Sequence, residues 1–185
     1  MSLTGPRTVV VVNPTAGGRR AGQVWAQLRR LAPELANATK IQADDATTGR
    51  AELDGRLQEG VERVLAVGGD GTAHLVVNAL LTAGLGERVA FGLVPAGTGS
   101  DLARSLDLAA RPAAALQRVI TAQPRPIDAL CIDTAAGERR YGINIASAGL
   151  SGAVVPAVNA NPRKGHLTYL TTTLRALLGY RPIAC

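Results

Sequence analysis

A chain of 185 residues with 46% hydrophobic content can bury a real core in one domain, or one and a half, and with only 3% aromatics that core is built mainly from Val, Leu, Ile and Ala. The net charge of +6 rests on arginine and favours anionic partners such as nucleotide phosphates or anionic lipid headgroups, but the arginines are scattered, without aromatics to stack bases, so nucleic acid is not expected. No apolar run reaches the roughly 18 residues of a membrane span, no charged-then-apolar leader opens the chain, and Cys131 and Cys185 lack metal-ligand spacing, so a reduced, cytoplasmic protein is expected.

Thr8-Val9-Val10-Val11-Val12 is a continuous apolar run of the kind buried on both faces of a parallel sheet. It ends in Asn13-Pro14-Thr15-Ala16-Gly17-Gly18, a turn by composition. Val24, Trp25, Leu28 and Leu31 mark a helix face that stops near Pro33. Residues 39–43 suit a short second strand, and Thr47 or Thr48 suits the cap of a helix that carries Ala51, Leu53 and Leu57 to about Gly60. Residues 64–67 read as a third strand, which runs into Gly68-Gly69-Asp70-Gly71-Thr72. Leu75, Val76, Ala79 and Leu80 then give a helix to about residue 84.

Residues 89–94 are a fourth strand, followed by Pro95-Ala96-Gly97-Thr98-Gly99-Ser100-Asp101. Asp101 suits the N-cap of a short helix with Leu102, Ala103 and Leu106, and Pro112 opens another with Leu116, Val119 and Ile120. The alternation of strand and helix over residues 1–123 predicts an α/β fold: a Rossmann-like, doubly wound, mostly parallel sheet. Residues 126–133 and 139–147 then read as a hairpin joined by Ala135-Ala136-Gly137-Glu138, with a helix over 167–178. A hairpin and one helix cannot close a core, so residues 124–185 are expected to be an incomplete, β-rich second unit. Its open sheet edges would invite pairing into a homo-oligomer.

Three of these turns follow strands, so in a parallel sheet they meet at one edge. Their glycines let backbone approach a ligand, Thr15, Thr72 and Thr98 add hydroxyls, and Asn13 adds an amide. A strand that ends in glycines where a helix begins aims backbone N–H groups at one point, which suits phosphate. Asp70 suits a metal ion or a hydroxyl proton. The chain has no G-x-x-x-x-G-K-[ST], its only lysines being Lys40 and Lys164, and no G-x-G-x-x-G follows the first strand. Zinc-hydrolase, His-carboxylate and Cys-His arrangements are also absent, and His74 and His166 read as surface residues.

Together, Asn13-Pro14-Thr15-Ala16-Gly17, Gly68-Gly69-Asp70-Gly71-Thr72 and Pro95-Ala96-Gly97-Thr98-Gly99-Ser100-Asp101-Leu102-Ala103-Arg104 resemble the catalytic domain of the diacylglycerol kinase family, which includes bacterial lipid kinases and is similar to sphingosine kinases. The resemblance spans roughly residues 7–150 in order. The G-G-D-G turn is shared with NAD kinases and phosphofructokinases, whereas the N-P-x-x-G loop and the P-x-G-T-x-x-D-x-A-R run favour the lipid side.

The resemblance implies an ATP-dependent lipid kinase whose acceptor is the hydroxyl of diacylglycerol or a related lipid, met at the inner membrane surface by a peripheral protein. It implies that Asn13, Pro14, Thr15, Ala16 and Gly17 and the turn from Gly68 and Gly69 through Asp70 and Gly71 to Thr72 hold ATP phosphates. Thr98 would contribute, with Thr47 or Thr48 near the nucleotide, and Asp70 would act catalytically through Mg²⁺ or by positioning the lipid hydroxyl.

The chain departs from the family pattern at Leu75, where a glutamate is usual, at Ser100, where an asparagine is usual, and at Gly149-Leu150-Ser151-Gly152, which lacks a carboxylate. Family members also continue for about a hundred residues more, through a β-sandwich domain with further carboxylates. A catalytically degenerate, nucleotide-binding or regulatory homologue is therefore one alternative, and an NAD kinase-like enzyme another.

Overall fold

The computed structural model describes residues 7–32, 38–97, 101–108, 111–145, 154, 157, 158 and 168–179. The chain divides into two compact units, residues 1–144 and 145–185. In the first, the strands β1 (Thr8–Val12), β2 (Thr39–Gln42), β3 (Arg63–Gly68) and β4 (Ala90–Pro95) alternate with the helices α1 (Ala16–Leu31), α2 (Ala46–Leu57) and α3 (Asp70–Thr82), and α4 (Asp101–Ser105) and α5 (Pro112–Thr121) follow. The four strands form one parallel sheet in the order β2-β1-β3-β4. This is the expected α/β, doubly wound arrangement.

The valine run of β1 explains why helices cover both faces. Successive side chains of a strand point to opposite sides, and all of Val9, Val10, Val11 and Val12 are buried. Val9 and Val11 join Leu53, Leu57, Val76, Ala79, Leu80 and Leu102 in a core under α2, α3 and α4. Val10 and Val12 join Ala21, Trp25, Leu28 and Leu116 in a second core under α1 and α5. The connection through α1 leaves β1 towards β2, and the one through α2 returns past β1 to β3. Right-handed crossovers therefore put α1 and α2 on opposite faces. The end of α3 is fixed by Gly84, at φ +67°, beyond the C-cap Ala83. There Leu85 N–H bonds Leu80 O at 2.8 Å and Gly84 N–H bonds Leu81 O at 3.1 Å, a Schellman closure.

Three expectations are corrected. The cap of α2 is Asp45, not Thr47 or Thr48: its backbone is extended and its carboxylate accepts from Thr48 N–H at 2.7 Å. Asp101 is the first residue of α4 rather than its cap. The hairpin strands are shorter than expected, β5 (Leu130–Asp133) pairing antiparallel with β6 (Arg139–Gly142). Pro124 and Pro126 have no N–H to give a ladder, and β5 is exposed along its whole length. Of the hairpin's expected residues, 146 and 147 lie outside the described residues. In the second unit, α6 (Thr168–Gly179) is described, with Leu170, Leu174, Leu177 and Leu178 exposed, while Leu167 lies outside the described residues.

Candidate functional site

The order β2-β1-β3-β4 reverses direction between β1 and β3, and ligands of open parallel sheets sit at that switch, beyond the carboxyl ends of the strands. The register aligns Val12 with Val67 and Gly68 with Pro95, so the three turns leave from one edge. The ladder continues past each strand: Asn13 N–H bonds Val67 O at 3.3 Å, and Ala96 N–H bonds Gly68 O at 2.8 Å. The first turn also touches the third, because a Cβ at Gly17 would lie 2.4 Å from Ala96 O. Gly17 has φ +61° as well, so glycine is required there on both counts.

Within the first turn, Asn13 Oδ1 accepts from Thr15 N–H at 3.0 Å and from the Thr15 hydroxyl at 2.7 Å. That Asx turn holds the loop in place and leaves the Asn13 NH₂ as the donor it can offer a ligand. Pro14 packs on the next turn of α1, its Cβ lying 3.6 Å from a Cβ placed at Gly22, and Ala16 packs against the core under α1 and α5.

In the second turn, Gly69 is the extended cap of α3, and its carbonyl accepts from Thr72 N–H at 3.0 Å and Ala73 N–H at 3.1 Å. The first-turn N–H groups of a helix otherwise lack intrahelical acceptors. A Cβ at Gly68 would lie 2.3 Å from Thr72 Oγ1, so only glycine lets the threonine fold over the strand end. Thr72 is 4% exposed and its hydroxyl has no hydrogen-bond partner, an orphaned polar atom at the start of a helix.

Asp70, read from the sequence as a group for a metal ion or a hydroxyl proton, is already engaged by backbone. Its Oδ2 accepts from Asp101 N–H and its Oδ1 from Leu102 N–H, both at 3.2 Å. Asp70 thus caps α4 from 31 residues away and ties the second turn to the third, while the Asp101 side chain pairs with Arg104. Thr98 lies outside the described residues.

Thr48 lies in the first turn of α2 and donates its hydroxyl to Asp45 Oδ2 at 2.8 Å. These bonds, the Thr48 N–H first, hold the Asp45 carboxyl below the usual aspartate range. An open cleft of about 570 Å³ runs from α2 along α3 to the hairpin, with Arg50, Gly71, Leu75, Asn78, Arg139 and Arg140 in its walls. Leu75 is half-buried and packs against the core under α2, α3 and α4. His74 is exposed.

The hairpin is stiffened by Arg139, which grips Asp133 through Nε at 2.7 Å and Nη2 at 3.0 Å and lowers that carboxyl's pKa. Asp45 was within reach of sequence reasoning, since aspartate outranks threonine as an N-cap. Asn78 and the arginines of the hairpin carried no local signal.

The donor set suits an anionic, phosphate-bearing ligand: a glycine turn at a helix start, a buried orphan hydroxyl and the Asn13 amide. Among the described residues no group of three or more His, Cys, Asp or Glu stands together, so a metal would have one carboxylate, Asp70. That set fits Mg²⁺, which takes one or two carboxylates along with nucleotide phosphates and water.

Comparison with known proteins places the chain in a family. Residues 7–132 match the family model described as the diacylglycerol kinase catalytic domain. A diacylglycerol kinase of Bacillus subtilis (strain 168) is 34% identical over 148 residues, 77% of this chain and 46% of that protein. A YegS-like lipid kinase of Xanthomonas oryzae pv. oryzae is 36% identical over 132 residues, 68% of this chain and 41% of that protein. Among solved structures, a diacylglycerol kinase from Bacillus anthracis str. Sterne superposes with a TM-score of 0.56 at 22% identity, covering 67% of this chain and 42% of that one. The chain thus spans less than half the length of these relatives.

Two outcomes follow from the geometry. Asp70→Ala, which removes both acceptors at the start of α4, should lower stability in urea by about 1–3 kcal/mol and speed amide exchange at Asp101 and Leu102, with Asp70→Asn milder; unchanged exchange contradicts the cap. The Asp45 cap, whose carboxyl titrates below its unfolded value, contributes fully above about pH 4 and fades as pH falls through the lowered pKa. The stability difference between wild type and Asp45→Ala should therefore be present at about pH 6 and shrink as pH falls below about 4; a difference constant with pH contradicts it.

Proposed function

The chain belongs to the diacylglycerol kinase catalytic domain family, and on that premise we propose that it binds ATP with Mg²⁺ at its three converging turns and provides the nucleotide half of a lipid kinase. The convergence carries this reading: Gly17 rests against Ala96, Gly68 bonds Ala96 and Asp70 caps α4, so one patch of backbone gathers the three motifs.

In the proposed reaction the bond from the γ-phosphorus to the β–γ bridging oxygen breaks and one to the lipid hydroxyl oxygen forms, with ADP leaving and the hydroxyl proton released. Such transfers are catalysed mainly by positioning and charge neutralisation. The turns from Asn13 to Gly17 and from Gly68 to Thr72 hold phosphate oxygens with backbone N–H groups, and Thr72 supplies its unpartnered hydroxyl. Asp70 holds the third motif in register, and its carboxylate is the one these turns offer a metal. Bound Mg²⁺ supplies neutralisation of phosphate charge.

Ala46, two residues before Thr48 on α2, lines the cleft, which supports Thr48 as a nucleotide contact, and Thr98 completes the set as the third motif's hydroxyl. The acceptor is a lipid alcohol of the diacylglycerol type, met at a membrane surface by arginines; among the described residues no helix is long and apolar enough to cross a membrane.

A second reading is favoured by Leu75, where an apolar side chain packed on the core stands at a position that bears glutamate in the family pattern. On that reading the chain binds nucleotide without transferring phosphate, and labelled phosphate on diacylglycerol rules it out.

Thr72→Val separates the ligand's requirement from the fold's. It removes a buried hydroxyl without a partner, so the ligand-free protein should gain about 1 kcal/mol, while ATP·Mg²⁺ should bind about tenfold more weakly by calorimetry. A folded wild type that binds no ATP defeats the proposal, and a Thr72→Val variant that binds as well as wild type removes Thr72 from the site.

A further inference from the structure

The cleft beside the Gly68–Thr72 turn has a wall that is not part of the sheet. The β5–β6 hairpin brings Arg139 and Arg140 to it, and among the described residues the hairpin's strands pair only with each other. One side chain meets its backbone from α3. Asn78 Nδ2 donates to Tyr141 O at 2.8 Å, and Tyr141 N–H donates to Asn78 Oδ1 at 2.9 Å, across 63 residues. A side-chain amide carries a donor and an acceptor side by side, so it can satisfy both backbone groups of one residue as a neighbouring strand would. The same Nδ2 also donates to His74 O at 3.0 Å, which fixes the amide against its own helix. Ile143, just past β6, packs on the core that α3 covers, so the contact has an apolar footing.

We propose that Asn78 is a positioning residue: by pairing with the Tyr141 backbone it pins the hairpin to α3 and thereby sets the Arg139–Arg140 wall for the nucleotide held at the Gly68–Thr72 turn. The ligand part of this proposal rests on the ATP reading above. Gly71 lies in the phosphate turn and in the same cleft as Asn78, Arg139 and Arg140, so the amide that holds the wall stands two helical turns from the phosphates. Aspartate keeps the acceptor for Tyr141 N–H but places a carboxylate oxygen against Tyr141 O, and alanine keeps neither bond.

The test measures wild type, Asn78→Ala, Asn78→Asp and Val76→Ala, the last thinning the core on the same helix while leaving both Asn78–Tyr141 hydrogen bonds in place. Amide exchange at Tyr141 reports the clamp, calorimetry with ATP·Mg²⁺ reports the ligand, and thermal melting reports the fold. Tyr141 exchange should rise at least tenfold in Asn78→Ala and less in Asn78→Asp. ATP affinity should fall about tenfold in Asn78→Ala and stay within twofold of wild type in Val76→Ala, even where the two melt at similar temperatures. Unchanged Tyr141 exchange overturns the clamp, and wild-type affinity in Asn78→Ala overturns the positioning role. Failure of wild type to bind ATP overturns the nucleotide reading together with the ligand role of Asn78, whereas the pinning of the hairpin is decided by Tyr141 exchange alone.

Discussion

The candidate site depends on the parallel register of β1, β3 and β4. Strand ends have no intrinsic reason to coincide, and here the ladder is carried one residue into each turn by Asn13 N–H on Val67 O and Ala96 N–H on Gly68 O. Those two bonds fix where the first and third turns leave the sheet relative to the glycine turn between them. A slip of one residue would turn every side chain of the shifted strand to the opposite face and would part Gly17 from Ala96. Because both faces of β1 are buried under helices, the register is specified twice, once by each core.

On that frame the second turn is less a free loop than a junction. Gly68 lets Thr72 fold over the strand end, Gly69 caps α3, and Asp70 spends both carboxylate oxygens on the backbone of α4. The carboxylate that the family pattern assigns to chemistry is thus also the brace between two motifs. A substitution at Asp70 disturbs the brace together with the proposed metal role, so the amide variant, which keeps the side chain's size, is the one to compare with alanine.

Much of the fold was legible in the sequence because its signals are local. The run from Thr8 to Val12 could only be a strand buried on both faces, and Pro112 and Gly84 mark a helix start and a helix end by backbone preference alone. The motif turns were legible for the same reason. What escaped depends on partners distant in the chain. Asp70 caps a helix 31 residues on and Asn78 holds a backbone 63 residues on, and nothing in the neighbouring residues announces either. A mid-helix asparagine reads as a surface residue, and an aspartate in a glycine turn reads as a ligand. The cap of α2 was a different kind of miss: two good caps compete within four residues, and the carboxylate of Asp45 prevails because it accepts from both the Thr48 N–H and its hydroxyl. The hairpin was overextended because alternation of apolar residues persists beyond the point where a lone two-stranded ladder can hold.

The central claim is that three turns spread between Asn13 and Asp101 act as one phosphate site. Backbone amide shifts during a titration with ATP·Mg²⁺ test it most directly. Concerted shifts at Gly17, at Gly68 to Thr72, at Ala96 and Gly97, and at Asp101 and Leu102, all saturating with one affinity, are the predicted result. Shifts confined to one turn, or saturating with different affinities from turn to turn, would contradict it.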